Sequence, residues 1–154
     1  MTLGNEALPN VTPFEILYVE DDPGDVVLTK KAMSNAKVKN NLYVAKDGVE
    51  ALEMLRKTGA YANQPRPDLI LLDLNMPRMD GRQFLEVIKS DADLQSIPVV
   101  VLTTSDAEPD ILNSYKLQAS CFITKPVDLA QFTHVIRSIE EFWLSLVKLP
   151  PKHG

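Results

Sequence analysis

The most constraining feature of the sequence is an unbroken apolar run, residues 69–72, that ends in Asp73. Four consecutive apolar residues predict a strand buried on both faces, because the side chains of a strand point alternately to opposite sides. A tight loop containing Pro77 follows, and Asp80 is placed to cap the next helix. This order of strand, loop and helix predicts that Asp73 stands at the carboxyl edge of an open parallel sheet, where such folds bind ligands.

The rest of the chain repeats this alternation of apolar strands and helical segments. Parallel neighbours in a sheet need crossover connections, so the pattern predicts an α/β fold with helices on both faces of a parallel sheet. We expect one domain, residues 14–149, between a flexible arm, residues 1–13, and a tail, residues 150–154. The predicted strands are residues 14–19, 42–45, 69–72, 99–102 and 121–124. Caps at Asp22, Asp47, Asp80, Ser105 and Asp128 are expected to open five helices, the first of which runs from about Pro23 to Ala36.

Charge and cysteine usage exclude several classes of protein. The net charge of −5 argues against a nucleic-acid surface. Cys121 is the single cysteine, which excludes a disulfide framework and a structural zinc site and fits a reducing cytoplasm. No apolar stretch approaches the roughly 20 residues that a membrane span needs, so we expect no membrane partner.

Unusual polar side chains follow four of the five predicted strands. Glu20 and Asp21 follow the first strand and Asp73 the third, and three carboxylates at one edge repel one another unless a hard cation such as Mg²⁺ is bound. Thr103 follows the fourth strand and supplies a hydroxyl, and Lys125 follows the fifth and supplies an ammonium. Together these groups predict a site for a phosphoryl group, with Asp73 as the nucleophile that forms an acyl phosphate.

These residues resemble the receiver domain of two-component response regulators, of which the chemotaxis regulators are an example. The resemblance covers about residues 14–140. It implies a flavodoxin-like five-stranded parallel sheet of order 2-1-3-4-5, a Mg²⁺ (or Mn²⁺) ion, and a sensor histidine kinase as phosphoryl donor. It also implies a switch rather than an enzyme, one that only assists its own phosphorylation and dephosphorylation. The matching positions are the metal ligands Glu20, Asp21, Asp73 and, through its backbone carbonyl, Asn75; the phosphoacceptor Asp73; the switch residues Thr103 and Phe122; and Lys125, followed by Pro126.

Two features look like a narrower group, the stand-alone regulators that partner cyanobacterial phytochrome-type kinases. These are the chain ending and the long connection from Thr58 to Pro67. The chain leaves no room for an effector domain after residue 149, so we expect output through protein contacts. Phe122 departs from the family's usual tyrosine, and the peptide bond before Pro126 is expected to be cis.

Three other functions compete with this interpretation. A haloacid-dehalogenase-like phosphatase also uses a strand-end Asp with Mg²⁺, but it needs a second Asp where this chain has Asn75. A flavodoxin-like flavin carrier needs a phosphate-cradling loop after the first strand, where acids would repel the anion. A degenerate receiver that acts only as a scaffold is disfavoured by the full set of acids, hydroxyl and lysine.

The last helix carries two apolar stripes, although one is enough to dock it on the sheet. We therefore predict a homodimer through the segment from Leu129 to Leu149, with phosphorylation shifting the association. The alternative is that the second stripe folds back on the same chain. The first stripe contains Leu129, Phe132, Ile136, Ile139, Trp143 and Leu146, and the second contains Val135, Phe142 and Leu149.

Overall fold

The structure, a computed structural model, describes residues 13–35, 39–74, 79–103 and 121–124, together with Ala130, His134 and Arg137. From the first strand to the fourth, strands and helices alternate as the sequence predicts. The strands are β1 (Phe14–Val19), β2 (Asn40–Ala45), β3 (Leu69–Asp73), β4 (Val99–Thr103) and β5 (Cys121–Thr124). The helices are α1 (Pro23–Ser34), α2 (Gly48–Leu55) and α3 (Gly81–Ser90), and a 3₁₀ turn (Gly59–Tyr61) follows α2.

The five strands form one parallel sheet in the order β2-β1-β3-β4-β5. This order is the flavodoxin-like one, which confirms the predicted fold class. The strands β1, β3 and β4 end at similar heights in the sheet, because Val19 pairs with Leu72 and Asp73 pairs with Leu102. All the carboxyl ends therefore lie along one edge of the sheet.

Apolar side chains cover both faces of the sheet, which explains why β3 is apolar without alternation. All five residues of β3 are buried. On one face Met33 of α1 joins a cluster with Tyr18, and on the other face Leu52 of α2 and Phe84 of α3 join a larger cluster. Each large apolar side chain buried in this way stabilises the fold by about 1.5–3 kcal/mol.

Two helix starts have the capping contacts that the sequence predicts. The Asp22 side chain accepts a hydrogen bond from the Gly24 N–H at 2.8 Å, with Pro23 in the first turn. Asp80 and Gln83 form a complete capping box, in which each side chain accepts from the other residue's backbone N–H. Both aspartates therefore fix where the chain turns from loop to helix.

The capping box expected at Asp47 is only half formed. Its side chain accepts from the Glu50 N–H at 2.8 Å, as predicted. The Glu50 side chain, however, accepts from the Lys46 N–H at 2.8 Å and from the Tyr61 hydroxyl at 2.7 Å. The tertiary contact with the 3₁₀ turn thus draws the glutamate away from the reciprocal bond.

Two predicted boundaries were wrong by two residues. Helix α1 ends at Ser34 rather than at residue 36, because the Asn35 N–H bonds to the Lys31 and Ala32 carbonyls and closes the last turn. Strand β2 begins at Asn40, where polar residues gave no apolar signal; backbone pairing with β1 extends the strand there.

Several predictions concern residues outside the described part of the chain. These are the arm up to residue 12, the tail, the caps at Ser105 and Asp128, and the peptide bond before Pro126. In the C-terminal segment, Ala130, His134 and Arg137 are helical and exposed. None of the described helices is long and apolar enough to cross a membrane.

Candidate metal centre and phosphoacceptor site

Three carboxylates gather at the carboxyl edge of the sheet, where β1 and β3 end side by side. Glu20, Asp21 and Asp73 each place a carboxylate oxygen so that all three oxygens lie within 4.8 Å of one another. Glu20 and Asp73 are buried, with 1% and 4% of their surfaces exposed, whereas Asp21 is exposed. The cluster is therefore open to solvent on the side of Asp21.

The start of α3 lies tightly against the end of β3. The Gly81 N–H donates to the Leu74 carbonyl at 2.9 Å. A Cβ at Gly81 would lie only 2.5 Å from the Leu74 Cα and 2.6 Å from the Asp73 carbonyl oxygen. Only glycine fits without displacing backbone, so the chain returns to the site directly beside Asp73.

The start of α2 also approaches the loop that follows β3. A Cβ at Gly48 would lie 2.9 Å from the Met79 carbonyl oxygen and equally close to the Met79 side chain. The Gly48 position is therefore also restricted to a residue without a side chain. This contact ties the loop beyond Asp73 to a second helix.

A buried tyrosine lies directly behind the acidic cluster. The Tyr18 hydroxyl donates to Glu20 Oε1 at 3.0 Å and accepts from the Thr29 hydroxyl of α1 at 3.1 Å. Burial, reinforced by the charge of Glu20, raises the pKa of Tyr18 well above its usual range, although the bond from Thr29 acts in the opposite direction. Tyr18 is therefore a permanent hydrogen-bond donor to Glu20.

The donor set of the cluster fits a hard divalent cation. Carboxylate oxygens are the ligands that Mg²⁺ and Mn²⁺ prefer, and Mg²⁺ usually keeps several waters. Asp21 is exposed, so water can reach the cluster from that side. Three like charges this close also repel one another, so a bound cation would stabilise the arrangement.

Of the other four predicted site residues, the structure describes the backbone positions of Thr103 and Phe122. Thr103 is the last residue of β4, one position beyond the residue that pairs with Asp73, and it pairs with Thr124 of β5. Phe122 lies within β5. Asn75 and Lys125 lie outside the described residues. The structure thus brings Glu20, Asp21 and Asp73 together, while the roles assigned to all seven residues stay predictions.

Sequence reasoning missed Tyr18 and Thr29, which were treated as ordinary members of a strand and a helix. A usable signal was present, because residues two apart in a strand share a face and Tyr18 precedes Glu20 by two positions. A buried tyrosine also usually needs a partner for its hydroxyl. The contribution of Thr29 required the packing of α1 against β1, which no local pattern specifies.

The family model for the response regulator receiver domain matches residues 16–137, which is most of the chain. The chain belongs to the response regulator receiver family. The residues at the strand ends indicate a role in two-component signalling, and the family match identifies the chain as the receiver module of such a system. The match begins within β1 and includes all the predicted site residues.

Two response regulators, Rcp1 and RcpA, are similar to this chain over most of its length. Response regulator Rcp1 of Synechocystis sp. is 44% identical over 138 residues, covering 90% of this chain and 94% of the relative. The structure of the phosphorylated cyanobacterial phytochrome response regulator RcpA is 49% identical, with a TM-score of 0.74, and the match covers 88% of this chain and 96% of that one. The Mn²⁺-bound form of Rcp1 has a TM-score of 0.72 at 44% identity, covering 86% and 95%.

Proposed function

We propose that this receiver accepts a phosphoryl group on Asp73 from the phosphohistidine of a sensor histidine kinase and signals through protein contacts. The observation that carries the proposal is the gathering of Glu20, Asp21 and Asp73 within 4.8 Å at the edge of a receiver sheet. Similarity to regulators named for phytochromes supports a phytochrome-type kinase as the donor. A location in the cytoplasm belongs to the same proposal.

Glu20, Asp21 and Asp73, with the Asn75 carbonyl, would hold a Mg²⁺ or Mn²⁺ ion. When bound, the ion neutralises negative charge on the phosphoryl oxygens. An Asp73 carboxylate oxygen attacks phosphorus in line; the P–O bond forms as the P–N bond to the kinase histidine breaks, and the imidazole nitrogen keeps the electron pair. The Thr103 hydroxyl and the Lys125 ammonium then hold the acyl phosphate, and rotation of Phe122 completes the switch.

The alternatives are less well supported. A phosphatase of the haloacid-dehalogenase type would need an acid/base at position 75, where this chain has asparagine, and the family match favours a receiver. A pure scaffold has no need of converging carboxylates, which repel one another. Any catalysis is limited, on this proposal, to the protein's own phosphorylation and dephosphorylation.

Intact-mass measurement after incubation with acetyl phosphate and Mg²⁺ tests the phosphoacceptor. Wild type should gain one phosphoryl group, about 80 Da, and Asp73→Asn should gain none. Asp68→Asn is the matched control, because Asp68 precedes the same strand at its opposite end, where its side chain accepts from the Glu15 N–H. A mass gain that persists in Asp73→Asn would refute the assignment.

Phosphotransfer from purified kinases tests the partner. A phytochrome-type histidine kinase labelled on its histidine should transfer phosphate to wild type faster than a histidine kinase of another sensor class. Equal transfer rates from the two kinases would remove the phytochrome part of the proposal and leave the phosphoacceptor part intact.

We also propose a two-fold dimer through the segment from Leu129 to Leu149, with phosphorylation at Asp73 shifting the association. Support comes from the two apolar stripes of that segment and from the helical, exposed positions of Ala130, His134 and Arg137 within it. A helix with one solvated face and two apolar stripes has more apolar surface than one docking contact covers.

A further inference from the structure

Tyr18 links helix α1 to the acidic cluster through a directed chain of hydrogen bonds. The Thr29 hydroxyl donates to Tyr18 at 3.1 Å, and the Tyr18 hydroxyl donates to Glu20 Oε1 at 3.0 Å. The exposed fractions of Thr29, Tyr18 and Glu20 are 2%, 0% and 1%. Hydrogen bonds that run in one direction through a buried region polarise and strengthen one another.

The alternation of β1 produces this contact. Tyr18 and Glu20 are two residues apart, so both side chains point to the face that α1 covers. The Tyr18 ring packs in the apolar cluster with Ile16 and Met33, which fixes the position of its hydroxyl. At this depth the hydroxyl needs a protein partner, because a buried hydroxyl without a hydrogen bond destabilises the fold.

The bond from Tyr18 restricts how Glu20 can present its carboxylate. Tyr18 binds Oε1, while the Asp22 N–H lies 3.3 Å from Oε2. The Glu20 N–H also donates to the Ala45 carbonyl at 2.9 Å, which extends the pairing of β1 with β2 beyond the end of the strand. Backbone and side chain are therefore both held in the orientation that brings Glu20 to Asp21 and Asp73.

We propose that Tyr18 is a positioning residue for the cation site, which acts by holding the Glu20 carboxylate toward the other two acids. The inference rests on the proposed function in one respect, namely that the cluster binds a divalent cation. Groups that orient a metal ligand reduce the ordering needed on binding, and their loss typically weakens metal affinity about 10–100-fold.

Calorimetric titration with Mn²⁺ alone tests this role. Tyr18→Phe keeps the ring and removes only the hydroxyl, and it should raise the dissociation constant about tenfold. Glu20→Gln should also weaken binding, and adding Tyr18→Phe to it should then change the dissociation constant little. This loss of additivity is the signature of a residue that acts through Glu20.

Tyr43→Phe is the matched control. Tyr43 lies on neighbouring β2 opposite Leu17, and burial and the neighbouring Glu15 raise the pKa of its hydroxyl, so it is a second tyrosine beside a glutamate, and that glutamate is not part of the cluster. Loss of the Tyr43 hydroxyl should leave Mn²⁺ affinity unchanged. Urea unfolding in a chelator, run on every variant, separates loss of fold from loss of affinity.

If Tyr18→Phe does not fold, Thr29→Val provides the second variant. It removes the outer hydroxyl at nearly constant volume, and it should weaken Mn²⁺ binding by less than Tyr18→Phe is expected to do. Unchanged affinity in that variant would then overturn the inference.

Three other results would overturn the inference. The first is wild-type affinity in a folded Tyr18→Phe variant, and the second is an equal loss of affinity in the Glu20→Gln background; either leaves the proposed function standing. The third is a wild type that binds no Mn²⁺, which overturns the proposed cation site together with the role of Tyr18.

Discussion

At the scale of single residues, the site depends on a position that has no side chain. Gly81→Ala should destabilise the fold by about 1–3 kcal/mol, because the new Cβ would meet backbone atoms of Asp73 and Leu74. Urea unfolding measures the change. Gly24→Ala is the control, since the nearest atom to its Cβ is a side-chain oxygen of Asp22 at 3.3 Å rather than backbone; the loss of stability there should be smaller. Equal stability of the two variants would contradict this account.

Asp21 should destabilise the cation-free protein. Removing one of three clustered charges relieves about 1 kcal/mol of repulsion, so Asp21→Ala should melt about 2–4 °C higher than wild type in a chelator. The variant should also lose the stabilisation that Mg²⁺ gives to wild type. Differential scanning fluorimetry with and without Mg²⁺ measures both effects.

Glu86→Ala is the control for charge alone, because it makes the same change in net charge on an exposed position of α3. It should keep the response to Mg²⁺. A melting temperature for Asp21→Ala that still rises with Mg²⁺ as in wild type would refute the cation site.

Some residues in and around the acidic cluster can be predicted from the sequence, and others cannot. Glu20, Asp21 and Asp73 could be found from the sequence because they stand where apolar strands end, and strand ends in a parallel sheet share an edge. The spacing of Tyr18 and Glu20 on one strand face hints at their bond, but the bond from Thr29 comes from another element. A buried hydrogen bond between elements depends on packing, which leaves no periodic trace in the sequence.

At the scale of elements, Lys89 holds the last turn of α3 to the chain that follows. Its ammonium donates to the Gln95 carbonyl at 3.2 Å and the Ile97 carbonyl at 3.4 Å. Partial burial lowers the pKa of Lys89 below its ordinary value of 10.5. The unfolded chain therefore binds this proton more tightly than the folded protein does.

This difference gives the pH dependence its sign. Stability from the lowered pKa of Lys89 is fully present above pH 10.5 and is lost as the pH falls through the lower folded-state value. The free energy of unfolding of wild type minus that of Lys89→Met should therefore rise as the pH approaches 10.5. The tyrosines contribute equally to the pH dependence of the free energy of unfolding in both proteins, so their contribution cancels in the difference.

Urea unfolding at a series of alkaline pH values measures this difference. Lys30→Met, at an exposed position of α1, is the control for the loss of one positive charge. A flat difference for Lys89→Met would contradict the assigned effect of burial.

Element boundaries were predictable where the deciding contact is local. The caps at Asp22 and Asp80 use backbone groups two or three residues away, and both were predicted correctly. The start of β2 at Asn40 was not, because pairing with Phe14 of β1 sets it. Glu50 likewise bonds to Tyr61 from the following connection, a contact that its local capping pattern does not contain.

At the scale of the whole molecule, the proposed dimer makes a prediction about association. Sedimentation should show wild type dimerising at tens of micromolar, more strongly with beryllofluoride, which mimics the phosphoryl group on Asp73. Phe142→Glu combined with Leu146→Glu should give a monomer, because charges in an apolar contact are costly to bury.

The control pair is Val27→Glu with Leu28→Glu, at positions of α1 that are 64% and 58% exposed. This variant should associate as wild type does. A wild type that stays monomeric in both states would refute the dimer, and one that dimerises equally with and without beryllofluoride would refute only its coupling to phosphorylation.

The meeting of β1 and β3 at the acidic edge has a consequence for how the chain folds. Glu20 and Asp73 are distant in sequence, and α1, β2 and α2 lie between the strands that carry them to the same edge. Forming this central pair closes a long loop and at the same moment brings like charges together, and both effects oppose it. The apolar residues on either side of the two strands must offset this repulsion. The three acids of this edge therefore also oppose the pairing of β1 with β3 during folding, and dissolved ions weaken that repulsion by screening it.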